Sequence, residues 1–347
     1  MRDAIVNTLD AVGKPTQLYE SPDGSQVLVL PYGGRVLGLF APGGEENFYW
    51  THPALESVES AREFYAGDQW HNSGGDRTWL APELDLFFPK FPDLSTYFQP
   101  RQLDPGNYRL ERHGDTFRLV NRLGLTTARD RAPVELEMVK QLGPAPNPLR
   151  HERQLSGWEG VEYAGYTQHT SLEMLGPSRA RVGLWNLVQM HHGGDLLIPT
   201  YHRAEPKIYF GTIGPEDLAV TERLVRYKMR QAGEHKLGVR AVSTAGRVGY
   251  LYEKADRWGL IVRNFLVDPS GEYVDVPWDD TADLGYSTQA CNVDSGLGRF
   301  SELEYHVPAI GAGTHRTRCD DAAQVWAFRG PRRAILAAAR ALLSPEA

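Results

Sequence analysis

The chain has 347 residues, a formal net charge of −7, 41% hydrophobic and 23% charged residues. That is the profile of a globular protein, not of a disordered, fibrous or membrane-spanning one. The acidic balance argues against a nucleic-acid partner, and no apolar run reaches the length of a membrane span.

Ile5, Leu9 and Val12 recur at helical spacing and predict a short amphipathic helix over Asp3–Val12. From Thr16 the texture changes to strands. Gln26–Pro31 and Arg35–Phe40 flank the turn Tyr32-Gly33-Gly34, Phe48–His52 reads as a strand edge, and Ala54–Phe64 as a loop or helical turn. The stretch His71–Pro89 (HNSGGDRTWLAPELDLFFP) follows. Its paired glycines allow positive φ and close approach of other groups, which predicts a tight turn delivering Asp76 and Arg77. Trp79 adds a flat apolar face and an N–H donor, Glu83 follows Pro82, and Leu84–Pro89 reads as a strand entering the core. A structural turn with one internal ion pair is the competing reading.

Asn107–Arg112 and Thr116–Asn121, around His113-Gly114-Asp115, predict a hairpin. Val134–Gln141, Val161–Met174, Arg179–His192 and Lys207–Gly211 read as strands, whereas Leu218–Gln231 mixes helical spacing with Val and Thr. Arg247–Glu253, Leu260–Asp268, Phe300–Val307 and Gln324–Arg329 are further strands. Pro331–Leu343 predicts a closing helix with Pro at its start. The tally predicts one mainly antiparallel β domain over 1–347, with its core at about 16–329. Cys291 and Cys319 have neither metal-type spacing nor the makings of a disulfide framework, and free thiols are expected. The acidic N-terminus lacks the apolar core of a secretory signal, so the expected location is the cytoplasm, with a trimmed leader as the alternative.

Besides Asp76, Arg77 and Glu83, three polar constellations stand out. In FSELEYHV, a period of two places Glu302, Glu304 and His306 on one face and Leu303, Tyr305 and Val307 on the other. Two neighbouring carboxylates raise each other's proton affinity, so one can act as acid and the other as base; a solvated acidic sheet face explains the pattern about as well. In WNLVQMHH, Trp185, Leu187, Gln189 and His191 share a face, and His192 points away from His191. A metal would therefore need distant ligands such as His202, His71 or the glutamates, and no metal or cofactor is expected. Glu234-His235-Lys236 fits a site or a solvated turn equally. Phosphate-loop, dinucleotide, nucleophile-elbow and His-Glu-x-x-His patterns do not occur.

In order, Tyr32-Gly33-Gly34-Arg35-Val36-Leu37, Asn47-Phe48-Tyr49-Trp50, Gly74-Gly75-Asp76-Arg77-Thr78-Trp79-Leu80-Ala81-Pro82-Glu83, Gly183–Gln189, His235–Gly238 and Glu302-Leu303-Glu304 resemble the landmarks of the galactose-mutarotase-like superfamily. The likeness spans about 16–329 and is nearer to that superfamily's uncharacterised bacterial branches than to true aldose 1-epimerases. The resemblance implies a β-supersandwich with a sugar cleft on one face. It also implies a C-terminal glutamate as base, with Glu302 and Glu304 both candidates, and histidines as acid. The departures are specific: Ser73 stands where aldose epimerases carry the histidine before Gly-Gly, and their Asn-His-x-Tyr-Phe-Asn segment has no clean counterpart.

The resulting expectation is a carbohydrate-active enzyme working at or near the anomeric carbon of a mono- or oligosaccharide, most concretely a 1-epimerase. Glu304, favoured narrowly, or Glu302 would be the base, and His191, His192 or His71 the acid. Arg35, Asp76, Arg77, Trp79, Glu83, Trp185, Gln189, Lys236 and His306 would bind substrate. A glycoside hydrolase or polysaccharide lyase using the paired carboxylates, and a non-catalytic sugar-binding protein, are the alternatives.

Overall fold

The computed structural model describes residues 2–114, 116–152 and 159–347; Asp115, at the tip of the expected hairpin, lies outside them. Two ten-stranded antiparallel sheets pack face to face around a shared apolar core. The first runs in space through Gln17–Glu20, Gln26–Leu30, Arg35–Phe40, Asp76–Ala81, Arg181–His191, Gly298–His306, Tyr286–Ser295, Gly233–Arg240 and Lys207–Phe210, with Ile310–Gly311 beside Arg181–His191. The second runs through Leu218–Val220, Leu224–Lys228, Asp195–Pro199, Arg247–Lys254, Arg257–Asn264, Arg318–Gly330, Glu162–Met174, Pro133–Pro144, Thr116–Thr126 and Arg109–His113. This is the mainly β sandwich expected from the sequence.

Strand alternation decides which side chains meet the core. From Gly298–His306, Leu303 and Tyr305 point between the sheets, where Tyr305 stacks on Phe265 and bonds Asp321 of the second sheet. Glu302 and Glu304 therefore face away from the second sheet. In Asp76–Ala81 the inward residue Asp76 meets Arg263 at 2.8 Å and accepts the Tyr166 hydroxyl, while Arg77 and Trp79 face outward with the glutamates. The outer face of the first sheet is thus where the polar groups of five strands gather.

The glycines before Asp76 do not make the expected turn. Gly74 and Gly75, with φ of 97° and 74°, let the chain pass closely between two neighbours and bend at Gly75 as it enters the strand at Asp76. A Cβ on Gly74 would sit 2.4 Å from the Trp50 carbonyl oxygen, and one on Gly75 2.3 Å from that of Val36.

Other local expectations are corrected too. Leu84–Pro89 is not a strand: Glu83–Leu86 forms one helical turn after Pro82, closed by Phe87 N–H donating to the Glu83 carbonyl. Leu218–Gln231, ambiguous in sequence, holds the strands Leu218–Val220 and Leu224–Lys228, the second pairing with Asp195–Pro199. Phe48–His52 forms no strand beyond a single bridge at Thr51 to Gly74. Glu234–Lys236 lies in the strand Gly233–Arg240 and not in a turn. The glutamate face of Gly298–His306 is buried, with Glu304 fully covered and Glu302 6% exposed, so it is no solvated sheet face.

The terminal helices cap outer faces. In Arg2–Ala11, Ile5 and Leu9 pack on Leu28, Leu30, Leu37 and Phe40. In Arg332–Leu342, Ile335, Ala338, Ala339 and Leu342 cover Leu260, Val262, Trp326 and Phe328, outside the sandwich as expected. Cys291 and Cys319 are both free thiols.

Candidate functional site

A cavity of about 320 Å³ opens on the outer face of the first sheet. Cross-strand register builds its floor. Lys236 lies opposite Cys291, Cys291 opposite Glu302, and Glu302 opposite Gln189. Two same-face steps along, Trp185 lies opposite both His306 and Trp79. Aromatic residues on loops and edge strands, among them Trp70, Phe88, Tyr97, Phe210 and Trp278, form the walls. Flat apolar walls over a charged floor suit a sugar, whose C–H faces stack while its hydroxyls bond.

The two glutamates have different partners. Glu302 Oε1 accepts from Arg77 Nη2 at 2.8 Å and from Gln189 Nε2 at 3.0 Å. Glu304 Oε2 accepts from Trp185 Nε1 at 2.8 Å and lies 3.4 Å from Lys236 Nζ, while Glu304 Oε1 is buried with no partner among the described residues. Burial pushes the Glu304 carboxyl up to about 8; Lys236 opposes that rise, and Glu302 and Glu83 add to it.

Lys236 sits among three carboxylates, 3.3 Å from Glu83, 3.5 Å from Asp275 and 3.4 Å from Glu304. Burial disfavours its ammonium, but Glu304, Glu83 and Asp275 outweigh that and hold its pKa well above the usual lysine range. Burial raises the Glu83 carboxyl. At Asp275 burial acts in the same direction, but Lys236 overcomes it and keeps the carboxyl below its ordinary value. The ammonium also lies 4.2 Å from the centre of the Trp185 ring, a cation–π contact that fixes both groups.

Arg77 is held in a comparable way. Its guanidinium lies 4.1 Å over Trp79 and 5.2 Å over Trp70. Both indole N–H groups donate to Asp104 Oδ2, at 3.0 Å and 2.9 Å, as does Arg35 at 2.7 Å. One carboxylate thus orients the two rings that frame the arginine. Arg77 Nε and Nη1 are buried and have no hydrogen-bond acceptor among the described residues.

The structure brings Arg77, Trp79, Glu83, Trp185, Lys236, Glu302 and Glu304 together around the cavity. Gln189 joins through its bond to Glu302. The other candidates lie elsewhere. Arg35 stands behind the tryptophans on Asp104, and Asp76 faces the inter-sheet core against Arg263. His306 is sealed behind Trp185, stacked at 5.6 Å, and burial lowers its pKa to about 3. His71 bonds Tyr32 and the Gly67 carbonyl beside a separate cavity. His191, at a strand end, meets Lys254 and Tyr252, and burial lowers its pKa to about 4. His192 bonds Asn292. None of the three histidines expected as acid lines the cavity with the glutamates.

Sequence reasoning missed Asp104, Asp275, Trp70, Tyr97, Trp278 and Cys291. Their backbones lie in loops or in the unrecognised strand Tyr286–Ser295, where no periodicity announces a shared face. The only available signal was the unusual density of aromatic residues.

No family model matches the chain, and no curated protein matches it. Solved structures do. It is similar to a galactose mutarotase-like protein from Lactobacillus casei ATCC 334, with 10% identity and a TM-score of 0.51 over 90% of this chain and 99% of that one. It is also similar to a putative aldose 1-epimerase from Escherichia coli K12, with 8% identity and a TM-score of 0.54 over the same shares. The chain therefore has the galactose mutarotase-like β-sandwich fold. At these identities the likeness carries the architecture and assigns no role to any residue.

Proposed function

We propose that the protein acts on a sugar bound in this cavity, and that its reaction is 1-epimerisation of an aldose. The observation that carries this reading is the pair of glutamates on one strand, sharing a cavity floor but held differently. The free oxygen of Glu302 accepts the proton of the anomeric hydroxyl. Glu304, held protonated by its burial, donates to the ring oxygen. The bond between C1 and the ring oxygen breaks, C1 becomes an aldehyde, rotates and recloses on the other face as the protons return.

Both reacting oxygens are attached to C1, so an acid and a base placed side by side under one face of the ring suit this reaction. Hydrolysis instead calls for carboxyl groups flanking the scissile bond. Lys236, whose proton is held tightly by three carboxylates, serves as a fixed charge and not as the acid. The aromatic walls and Arg77, which line the cavity, supply binding. Polarimetry on freshly dissolved α-anomers of common hexoses and pentoses tests the proposal. At least one sugar should lose its excess rotation faster than in buffer, and buffer rates for all would contradict it.

A further inference from the structure

We propose that Cys291, Glu302 and Glu304 form a binding site for one divalent metal ion of the zinc type at the floor of the cavity. The Cys291 sulfur and one carboxylate oxygen from each glutamate lie within 4.8 Å of one another, and all three residues are buried. The register explains the grouping: Cys291 and Glu302 face each other on paired strands, and Glu304 is the next residue on the same face. Zn–S bonds of about 2.3 Å and Zn–O bonds of about 2.0–2.2 Å place tetrahedral donors roughly 3.3–3.7 Å apart. Side-chain rotations of roughly 1 Å close that gap.

Three further observations point to a cation. Glu304 is fully buried, yet its Oε1 has no partner. Each glutamate already uses its other oxygen on a fixed cation, Glu302 Oε1 on Arg77 and Glu304 Oε2 on Lys236, so those cations orient the carboxylates without occupying the free oxygens. The charge balance is also short: among the described residues, the only lysine or arginine side chains paired with Glu83, Asp275, Glu302 and Glu304 are Arg77 and Lys236. The buried His306 is neutral and adds nothing. With all four carboxyls ionised two negative charges lack a cation, and a Cys291 thiolate adds a third, so one divalent ion lowers the imbalance to a single charge.

On binding, the thiol proton and the Glu304 proton pass to solvent, and sulfur and oxygen become ligands; no oxidation is involved. One thiolate with two carboxylates suits zinc or cobalt and not magnesium or calcium, which take all-oxygen shells.

The site shares Glu302 and Glu304 with the sugar reading, and an ion bound there would occupy the oxygens that reading assigns to proton transfer; its test needs no sugar, so the two readings succeed or fail separately. The full chain, stripped with a chelator, is titrated with Co²⁺ and followed by absorbance. A thiolate-to-cobalt charge-transfer band saturating at one ion per chain, and lost on adding Zn²⁺, is the expected result. Cys291→Ser should abolish the band, Cys319→Ser should retain it, and Glu304→Gln should weaken binding roughly 10–100-fold or more. Circular dichroism checks that each variant is folded. Absence of the band at saturating cobalt, or its persistence in folded Cys291→Ser, would overturn the proposal.

Discussion

Replacing Glu304 with Gln should change how stability depends on pH. The folded protein holds the Glu304 proton up to about pH 8, whereas the ordinary carboxyl value is 4.5. Between those values the folded state binds more protons than the unfolded one, so this group's contribution to stability is fully present below about 4.5 and is lost as pH rises toward 8. At about 1.4 kcal/mol per pH unit the whole loss is about 5 kcal/mol. Gln keeps the shape and one oxygen acceptor for Trp185 and Lys236, but it does not titrate. Any lost hydrogen bonding lowers its stability by an amount independent of pH. Urea unfolding of both proteins from pH 4.5 to 9, with equal slopes against denaturant, isolates the effect. The variant should gain on the wild type by several kcal/mol across that range. Parallel stability curves would refute the assignment of the raised proton affinity to Glu304.

Three further outcomes follow from the same geometry. Arg77→Met leaves the Glu302 carboxylate buried without its guanidinium and should cost about 3–5 kcal/mol in unfolding experiments, along with a large loss of epimerase activity. Asp76→Asn, beside the fully buried Arg263, should cost about as much stability but leave KM for the sugar near wild type, because that pair faces the core. Sugar binding should change the fluorescence of the four cavity tryptophans, Trp70, Trp79, Trp185 and Trp278, and Trp79→Ala should weaken the sugar titration by about tenfold, a stacking contribution of roughly 1 kcal/mol or more.

The architecture was legible because strand alternation is a local property. FSELEYHV already separates a core face from a polar face, and the structure keeps that division at Leu303, Tyr305, Glu302 and Glu304. The closing helix was equally plain from its Pro start and the three-and-four spacing of Ile335, Ala338, Ala339 and Leu342. Burial was not legible: two glutamates on a strand look the same in sequence whether water or a tryptophan-walled cavity covers them. The two glycines misled, since positive φ serves close passage between neighbours as readily as a turn, and here Trp50 and Val36 are the neighbours.

Loop positions were beyond reach for a different reason. Asp104 orients Trp70 and Trp79 across separations of 34 and 25 residues, a relation set only when the sheet assembles. His191 shares a face with Trp185 and Gln189 by alternation, yet at the strand end it meets Lys254 on the second sheet. Alternation fixes the side of a strand and does not place side chains once the strand ends.

The most direct measurement is magnetisation transfer between the α- and β-anomer signals of an aldose by NMR, over a panel of sugars, with wild-type protein, Glu302→Gln and Glu304→Gln. The account predicts enzyme-dependent exchange for at least one sugar at pH 6 to 7. That exchange should decline above about pH 8 as Glu304 loses its proton, and each variant should lose roughly 10²–10⁴-fold in rate. Exchange no faster than in buffer for every sugar, or undiminished exchange in both folded variants, would contradict the assignment of this cavity and its glutamates to the reaction.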